Sequence, residues 1–315
     1  MSSGVTVAVV GAPDVAKELG KKGTSSDLTL FNVVHDDLAV TLVEPTQFPE
    51  KFSPLLVALG MADRCLLVIP ELSRPVAETI ATVDTTDVPT TIVLGPAVGD
   101  GEVAKVLKGS RLESAPRHAL DLPKLRDLVE SWKAPEVAGT PLVPIDHAFP
   151  VKGVGAVALG VVRRGTLKAH EKLRLYPTAK SVEVRSVQVH DIDRKEAGCG
   201  ERVGVALKGA EADELERGQV LAPDGTLREG TALSGAFVKC RYYRGDAGPG
   251  AALHAVVGLQ VVPAELDAWT PAEARFTTDR PVAYAPGDPA YLIDLSVPSG
   301  PRIVGRTTLG PGGGS

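Results

Sequence analysis

The apolar pattern of this chain changes near residue 133, and that change constrains the fold more than any other feature. Before it, short apolar runs that end in Gly or Pro alternate with amphipathic stretches. The runs are VTVAVVG, LAVTLVEP, RCLLVIP and PTTIVLGP, and the amphipathic stretches are FSPLLVALGMAD, SRPVAETIATVDTT and DLPKLRDLVESW, with Asp121 as the expected N-cap of the last one. Strands without a polar face, alternating with helices, predict a doubly wound, mainly parallel sheet.

The rest of the chain lacks helical periodicity. A linker, KAPEVAGTPLVP, leads into short runs in which apolar residues alternate, such as GAVALGVVRRG, EKLRLYP and RVGVALKG. The alternation changes phase between Val184 and Val187, which predicts a β-bulge. The predicted fold is an α/β domain over residues 1–133, followed by two antiparallel β-barrels over residues 139–225 and 229–309.

Composition excludes several classes of protein. Hydrophobic residues make up 43% and charged residues 23% of the 315, as in ordinary globular proteins, and the net charge of −5 supplies no global field for nucleic acid. The three cysteines show no CxxC spacing, so neither a disulfide framework nor a metal site is predicted. Without a signal peptide pattern or a run of about 18 apolar residues, the expected location is the cytoplasm, with no membrane partner.

The middle segment carries a specific series of glycines and apolar residues. They are Gly153, Gly155, Gly160, Gly165, Leu167 and Lys168, then Gly200, Val203, Gly204, Leu207 and Gly209, then Glu216, Arg217, Gly218, Val220 and Leu221. In this register, residues 139–225 closely resemble the second domain of EF-Tu-type translational GTPases. The forms IDHAF, SVQVHDID and GKKGTSSDLT resemble the SelB-like, archaeal-type branch, which includes factors labelled EF-Pyl. The resemblance implies a P-loop GTPase-like first domain and a last barrel that is also typical of the family.

The first domain does not keep the phosphate-binding loop that this resemblance implies. The pattern G-x-x-x-x-G-K-[ST] needs backbone N–H groups and a lysine for phosphate, and a hydroxyl for Mg²⁺. Counted from Gly11 without gaps, it places Ala16, Lys17 and Glu18 where Gly, Lys and the hydroxyl belong. In the alternative alignment, the Gly-Lys-Thr core is deleted. This alignment is considered because a helix that begins after the ungapped loop would reach Gly20 within about one turn. Both alignments predict a degenerate nucleotide site.

Two further GTPase motifs are also altered. The family's D-x-x-G-H motif, for magnesium and the γ-phosphate, reads EPTQF, with Glu44 first, Gln47 in place of the glycine and Phe48 in place of the water-positioning histidine. The guanine-reading N-K-x-D motif reads GPAV, from Gly95 to Val98, and so offers guanine neither a carboxylate nor an amide. Three changed elements together predict a pseudo-GTPase without catalytic residues, for which neither GTP nor Mg²⁺ is an expected cofactor.

The second domain could still recognise the aminoacyl end of a tRNA, as the resemblance implies. The pocket pattern of SelB-like factors, Asp-Arg on one strand and Arg on a later one, falls on Asp146, His147 and Arg185. His147 departs from the pattern, which leaves the amino-acid preference open. His190, which ends the strand SVQVH, is a further candidate. The alternative for Asp146 and His147 is a hydrogen-bonded barrel rim without a ligand.

Basic residues follow one another around the predicted hairpin GVVRRGTLKAHEKLR. They are candidate contacts for tRNA phosphate, with a solvated hairpin as the alternative: Arg163, Arg164, Lys168, Lys172 and Arg174. The segment GKKGTSSD lies where factors of this family carry a mobile switch segment. It is either an anion-binding turn or a surface loop.

These observations predict an EF-Tu/SelB-like protein of translation, with tRNA or aminoacyl-tRNA as the partner and the ribosome as a further one. Two alternatives remain at this point. One is a working GTPase that uses an altered loop around Lys17, and the other is a protein-interaction scaffold.

Overall fold

The computed structural model describes residues 3–35 and 38–311 of the chain. It contains an α/β domain and two β-barrels, called here the N-terminal domain, the middle barrel and the C-terminal barrel, and this confirms the predicted fold class. Among the described residues, no helix has both the length and the apolar character needed to cross a bilayer.

The N-terminal domain is built on a mixed seven-stranded sheet. Its elements are β1 (Ser3–Val10), α1 (Val15–Leu19), β2 (Lys21–Ser25), β3 (Thr29–His35), β4 (Leu38–Glu44), α2 (Ser53–Met61), β5 (Arg64–Ile69), α3 (Arg74–Thr85), β6 (Thr90–Leu94), α4 (Asp100–Leu107), a 3-10 turn (Arg111–Ser114), β7 (Arg117–Ala119) and α5 (Leu122–Glu130). The strand order is β2-β3-β4-β1-β5-β6-β7. Strands β4, β1, β5, β6 and β7 are parallel to one another, and β2 and β3 add an antiparallel edge.

Apolar residues of β1 alternate between the two faces of this sheet. Ala8 and Val10 belong to the core that includes α2 and α3, whereas Val5, Val7 and Val9 belong to the core that includes α1 and α5. The sheet is therefore covered on both sides, as its continuous apolar strands predict. The carboxylate of Asp121 accepts the Lys124 N–H and caps α5 as expected, since it satisfies a backbone donor of the first turn.

The middle barrel is antiparallel and closed. Its elements are β8 (Val143–Val151), β9 (Gly155–Val161), β10 (Thr166–Lys168), β11 (Lys172–Tyr176), β12 (Lys180–Val189), β13 (Ile192–Arg194), β14 (Glu196–Gly198), β15 (Arg202–Lys208), a 3-10 turn (Ala212–Glu214) and β16 (Val220–Ala222). The order β11-β16-β8-β9-β15-β12 closes because β12 pairs with β11. The register of β12 shifts between Val184 and Ser186, which confirms the predicted bulge. Its apolar core contains residues of the middle barrel alone.

The C-terminal barrel is also antiparallel and closed. Its six strands are β17 (Arg228–Lys239), β18 (Ala252–Val257), β19 (Gln260–Trp269), β20 (Glu273–Tyr284), β21 (Pro289–Ile293) and β22 (Ile303–Leu309), in the order β17-β20-β19-β18-β21-β22. The core of this barrel is continuous with the core under α2 and α3 of the N-terminal domain. At that junction Gly60 of α2 lies so near the C-terminal barrel that a Cβ on it would be 2.9 Å from the Gly258 oxygen.

Candidate functional site

The loop after β1 keeps the turn of a phosphate-binding loop but only one turn of helix. Gly11 has φ +97°, and a Cβ there would lie 2.1 Å from the Val68 oxygen, so only glycine fits. Helix α1 has five residues and ends before Gly20, as the sequence predicts. The side chains of Lys17 and Glu18 are exposed, and the Lys17 ammonium lies 4.0 Å from the Asp14 carboxylate.

Glu44, the last residue of β4, reaches this loop with its carboxylate. The Asp14 N–H donates to Glu44 Oε1 over 3.4 Å, and Glu44 is 7% exposed. Burial raises the pKa of the Glu44 carboxyl, and the nearby Asp14 carboxylate adds to that shift. Among the described residues, Glu44 Oε2 has no hydrogen-bond partner. The Glu44 carboxyl therefore occupies the Asp14 N–H of this loop.

The backbone N–H of Gln47 is hydrogen-bonded within the protein, and the ring of Phe48 is packed within it. The Gln47 N–H, at the position where the resemblance implies a γ-phosphate sensor, donates to the Asp27 carbonyl over 3.1 Å. The Phe48 ring packs edge-on against Phe52, with centroids 6.3 Å apart. The Arg302 guanidinium of the C-terminal barrel lies 6.0 Å from the Phe48 ring and 5.0 Å from the Phe52 ring.

The altered guanine motif lines an open cavity of about 620 Å³ at the carboxyl ends of β6 and β7. Gly95 accepts the Val98 N–H in a tight turn. The only carboxylate among the residues lining the cavity is Asp100, which pairs with Arg117 at 2.9 Å. A base edge would therefore find no free carboxylate in this lining.

A second cavity, of about 630 Å³, lies on the middle barrel and is called here the barrel pocket. One part of its lining is apolar and consists of Phe149, Val151, Val154, Val157, Leu159, Val203, Gly204 and Ala206. The other part is polar and consists of Ser186, Gln188, His190, Asp191, Asp193 and Arg202, with Asn32 contributed by β3 of the N-terminal domain. Because Asn32 is part of its lining, the barrel pocket lies between two domains.

The predicted trio of Asp146, His147 and Arg185 is only partly brought together. Asp146 is buried, and its carboxylate accepts from His147 Nδ1 at 2.7 Å. Its other partner is Arg202, at 2.5 and 2.8 Å, and not Arg185. Arg185 instead donates to the Val154 carbonyl at 3.1 Å. Arg185 does not contact Asp146, because barrel closure places β15, and not β12, beside the Asp146 carboxylate. A role of Arg185 in a pocket stays a prediction.

The bidentate contact determines the charge state of Asp146. Burial alone would raise the pKa of this carboxyl, but the charge and hydrogen bonds of Arg202, with those of His147, hold the pKa below its usual value. Asp146 is thus an ionised, buried anchor for Arg202, which lines the barrel pocket. Arg202 was not among the predicted site residues.

His190 lines the barrel pocket. His190 and Asp191 have φ of 50° and 62° and form the two-residue turn between β12 and β13. Two consecutive left-handed residues are typical of the type I′ turn, whose twist matches that of the flanking strands. The turn therefore holds both side chains at the pocket.

The segment GKKGTSSD forms a strand and the turn of a hairpin, and is not a plain surface loop. Residues 21–25 form β2, which pairs with β3, and the turn of this hairpin carries Ser26 and Asp27. The Asp27 carboxylate accepts two hydrogen bonds from Arg217 of the middle barrel, at 2.7 and 2.8 Å. Ser26 Oγ lies 3.1 Å from His147 Nε2. The hairpin is thus bonded to the middle barrel.

Most of the predicted basic cluster is used inside the protein. Arg163 pairs with the buried Asp63 of the N-terminal domain at 2.9 Å, and Arg164 donates to the Thr140 carbonyl at 3.0 Å. Arg174 pairs with Asp224 and with Glu229 of β17, at 2.9 and 2.7 Å. Arg164 and the exposed Lys168 and Lys172 have no ion pair among the described residues. Contact of this hairpin with tRNA phosphate stays a prediction, and the structure assigns internal partners to Arg163, Arg164 and Arg174.

Within residues 3–35 and 38–311, no group of three or more His, Cys, Asp or Glu side chains is placed to hold a metal ion. Cys65 and Cys240 are buried and Cys199 is half-buried, and none of the three forms a disulfide.

Comparison with known proteins agrees with this architecture. Residues 155–222 match the family model of elongation factor Tu domain 2. The chain is 35% identical over 296 residues, 93% of its length and 96% of the relative's, to an uncharacterized protein of Methanocaldococcus jannaschii, MJ0325. It is 28% identical over 285 residues to the selenocysteine-specific elongation factor of that organism, and this match covers 82% of the chain and 61% of the relative.

Solved structures show the same fold. The elongation factor SelB of Methanococcus maripaludis, in complex with the GTP analogue GppNHp, superposes with a TM-score of 0.82 at 19% identity and covers 98% of this chain and 79% of its own. The apo form of that factor gives a TM-score of 0.81 at 20% identity, with the same coverage. The middle domain therefore belongs to the elongation factor Tu domain 2 family, and the chain as a whole is a relative of MJ0325 and of SelB-like elongation factors.

Proposed function

We propose that this elongation-factor-like protein binds the aminoacylated 3′ end of a tRNA in the barrel pocket and does so without a GTP cycle. The observation that carries the proposal is the pocket itself. Its volume of about 630 Å³ suits an aminoacyl-adenosine, since ligand pockets commonly measure about 300–1,000 Å³. The family resemblance implies a tRNA 3′ end on this same barrel.

The chemistry of the lining suits such a ligand. Phe149 and Val154 line the pocket with 41% and 37% of their surfaces exposed, so an adenine ring or an aliphatic side chain could cover them. Gln188, His190 and Asn32 supply hydrogen-bonding groups for ribose hydroxyls and the aminoacyl ester. This division into an apolar wall and a few polar groups is typical of small-ligand sites.

Glu44 supports the second half of the proposal. Its carboxyl accepts the Asp14 N–H of the degenerate loop, and such backbone N–H groups are the donors that a phosphate-binding loop uses. The environments of Phe48 and Val98 support the same conclusion, because neither offers the polar group that hydrolysis or guanine recognition requires.

The RNA-binding half is tested with aminoacyl-tRNA and the same tRNA after deacylation, in equilibrium binding. We expect the charged form to bind at least about tenfold more tightly, which corresponds to about 1.4 kcal/mol. The variant His190→Asn, which keeps a residue suited to left-handed φ, should lose about that factor. His170→Asn is the matched control, since His170 also has positive φ but does not line the pocket. Equal binding of charged and deacylated tRNA would contradict the proposal.

The nucleotide half is tested by calorimetric titration of GTP and GDP with Mg²⁺. The protein concentration should allow detection of a Kd of about 100 μM, near −5.5 kcal/mol. No heat of binding is expected. Saturable binding at a stoichiometry of one would show that the altered loop still holds nucleotide, and the protein would then be a switched GTPase.

A further inference from the structure

The side chain and the backbone carbonyl of Asp27 form hydrogen bonds with different parts of the protein. Its carboxylate accepts two hydrogen bonds from Arg217, whose Nε donates to the Asp146 carbonyl at 3.1 Å. Its own carbonyl accepts the Gln47 N–H at 3.1 Å and the Thr46 hydroxyl at 3.2 Å. Asp27 therefore connects the segment after β4 to the middle barrel.

The hydrogen bond from Gln47 to Asp27 uses a backbone N–H that, by the family resemblance, would contact a γ-phosphate. The resemblance implies that the N–H at position 47 senses that phosphate, and here it donates to a carbonyl of the hairpin. A backbone donor that already has a protein acceptor would have to lose that bond before it could bind phosphate. The link between the two segments is thus made by protein groups.

The same hairpin supplies a wall of the barrel pocket. Asn32 lies on β3, five residues after Asp27, and lines the pocket. Strand β3 pairs with β4 along its whole length, with Asn32 opposite Thr41, so the sheet holds Asn32 in place within the N-terminal domain. The contacts of Asp27 at the turn join this edge of the sheet to the middle barrel, and the position of Asn32 relative to that barrel therefore depends on them.

We propose that Asp27 and Arg217 are positioning residues that hold Asn32 at the barrel pocket through protein contacts alone, in place of a nucleotide. This inference rests on the proposed function for the nature of the pocket's ligand. Asp27 and Arg217 do not line the barrel pocket; they keep Asn32, the residue that the N-terminal domain contributes to its lining, in place. Ligand affinity at the pocket is then set by this ion pair and is independent of GTP.

The direct test is hydrogen–deuterium exchange of the full chain without tRNA. Arg217→Ala should speed exchange of the amides in residues 21–35 by about tenfold or more, since it removes two charge-assisted hydrogen bonds. Arg217→Lys and Asp27→Asn should show a smaller effect in the same segment. The matched control is Arg174→Ala, which also removes two charge-assisted hydrogen bonds, to Asp224 at 2.9 Å and to Glu229 at 2.7 Å, away from the hairpin.

A charge-swapped double variant distinguishes a positioning role of the pair from a general loss of stability. In the swapped variant D27R/R217D the pair is restored with reversed polarity, and slow exchange of residues 21–35 should return. Affinity for aminoacyl-tRNA should fall about tenfold in Arg217→Ala and recover in the swap, while 1 mM GTP should change neither readout in any variant.

Three results would decide between the two proposals. If Arg217→Ala exchanges like Arg174→Ala in residues 21–35, the positioning role is wrong, whatever the tRNA data show. If residues 21–35 exchange faster but the wild-type protein does not prefer charged tRNA, the pair positions the hairpin and the proposed function is wrong. If GTP slows exchange of these residues, the inference that protein contacts replace the nucleotide is wrong.

Discussion

The N-terminal domain contacts the two barrels in different ways. It shares one continuous apolar core with the C-terminal barrel, and the buried Glu78 pairs there with Arg302 at 2.7 Å. It meets the middle barrel mainly through polar groups, among them the pairs of Asp27 with Arg217 and of Asp63 with Arg163. The main core of the middle barrel is separate, and a small buried cluster of Tyr176, Val220 and Ala222 joins this barrel to Ala283 of the C-terminal barrel.

This difference has a physical consequence. Burial of continuous apolar surface stabilises a junction strongly and is not weakened by ionic screening, whereas ion pairs at a partly solvated junction contribute less and are screened. We therefore expect the N-terminal domain and the C-terminal barrel to unfold together, with the middle barrel as the part that can separate. In such a molecule, the contact between the N-terminal domain and the middle barrel is the one open to adjustment, and the barrel pocket lies there.

The largest effect is expected from Arg302→Ala. It leaves the Glu78 carboxylate, 8% exposed, without its cation and removes the donor to the Pro49 carbonyl. Loss of one partner of a buried ion pair costs about 3–5 kcal/mol, which should appear in the free energy of unfolding by urea. The double variant E78Q/R302M should recover part of the loss, because no unpaired charge remains. A loss below about 1 kcal/mol in the single variant would contradict the view that this junction is built like a protein interior.

A smaller effect is expected from Arg163→Ala at the polar junction. The Asp63 carboxylate, which it pairs with, keeps the Thr6 N–H as a donor at 2.8 Å. We expect a loss of about 1–3 kcal/mol, as for a hydrogen bond to a charged group, and faster proteolysis in residues 133–141 between α5 and β8. Arg117→Ala is the control, since Arg117 pairs with Asp100 at 2.9 Å within the N-terminal domain, away from residues 133–141. If proteolysis rises equally in both variants, the Asp63 pair does not hold the middle barrel.

The smallest effect is expected from Glu44→Gln, and it depends on pH. The pKa of Glu44 is raised above 4.5 in the folded protein by burial, so the group favours folding when protonated and disfavours it when ionised. At pH 7.5 the variant should therefore melt about 1–3 °C higher than the wild type. The difference should vanish as the pH falls below 4.5. A lower Tm in the variant at pH 7.5 would mean that the charged carboxylate stabilises the loop.

The elements with strong local patterns could be predicted. Strands β1, β4, β5 and β6 are continuous apolar runs, and α5 has both a capping aspartate and an apolar face. The bulge in β12 could be predicted because a register shift moves apolar side chains to the other face of a strand. The middle barrel could be identified from the spacing of its glycines within a family register.

Strand β2 could not be predicted in the same way. Its sequence, KKGTS, has exposed side chains and no apolar alternation, since it is an edge strand held by backbone pairing to β3. Strand β3 could have been found, because Leu30, Phe31 and Val33 are buried in an apolar run. That signal would have predicted a hairpin in place of the expected loop.

The partners in the candidate site were the least predictable part. Arg185 and Arg202 both lie on barrel strands, and their distances in sequence from Asp146 do not indicate which one reaches it. The antiparallel pairing of β15 with β9, next to β8, decides for Arg202. Similarly, nothing local to Asp27 indicates Arg217, which lies 190 residues away in sequence.

The sequence by itself determined the three-part architecture and the altered nucleotide motifs, because apolar periodicity, capping residues and motif identities are local properties. Only the tertiary structure decided that Glu44 meets the degenerate loop, that Arg202 pairs with Asp146, and that Asp27 joins two domains. Each of these contacts joins residues far apart in the chain. Their geometry depends on how the sheet and barrels close and pack, which local sequence does not encode.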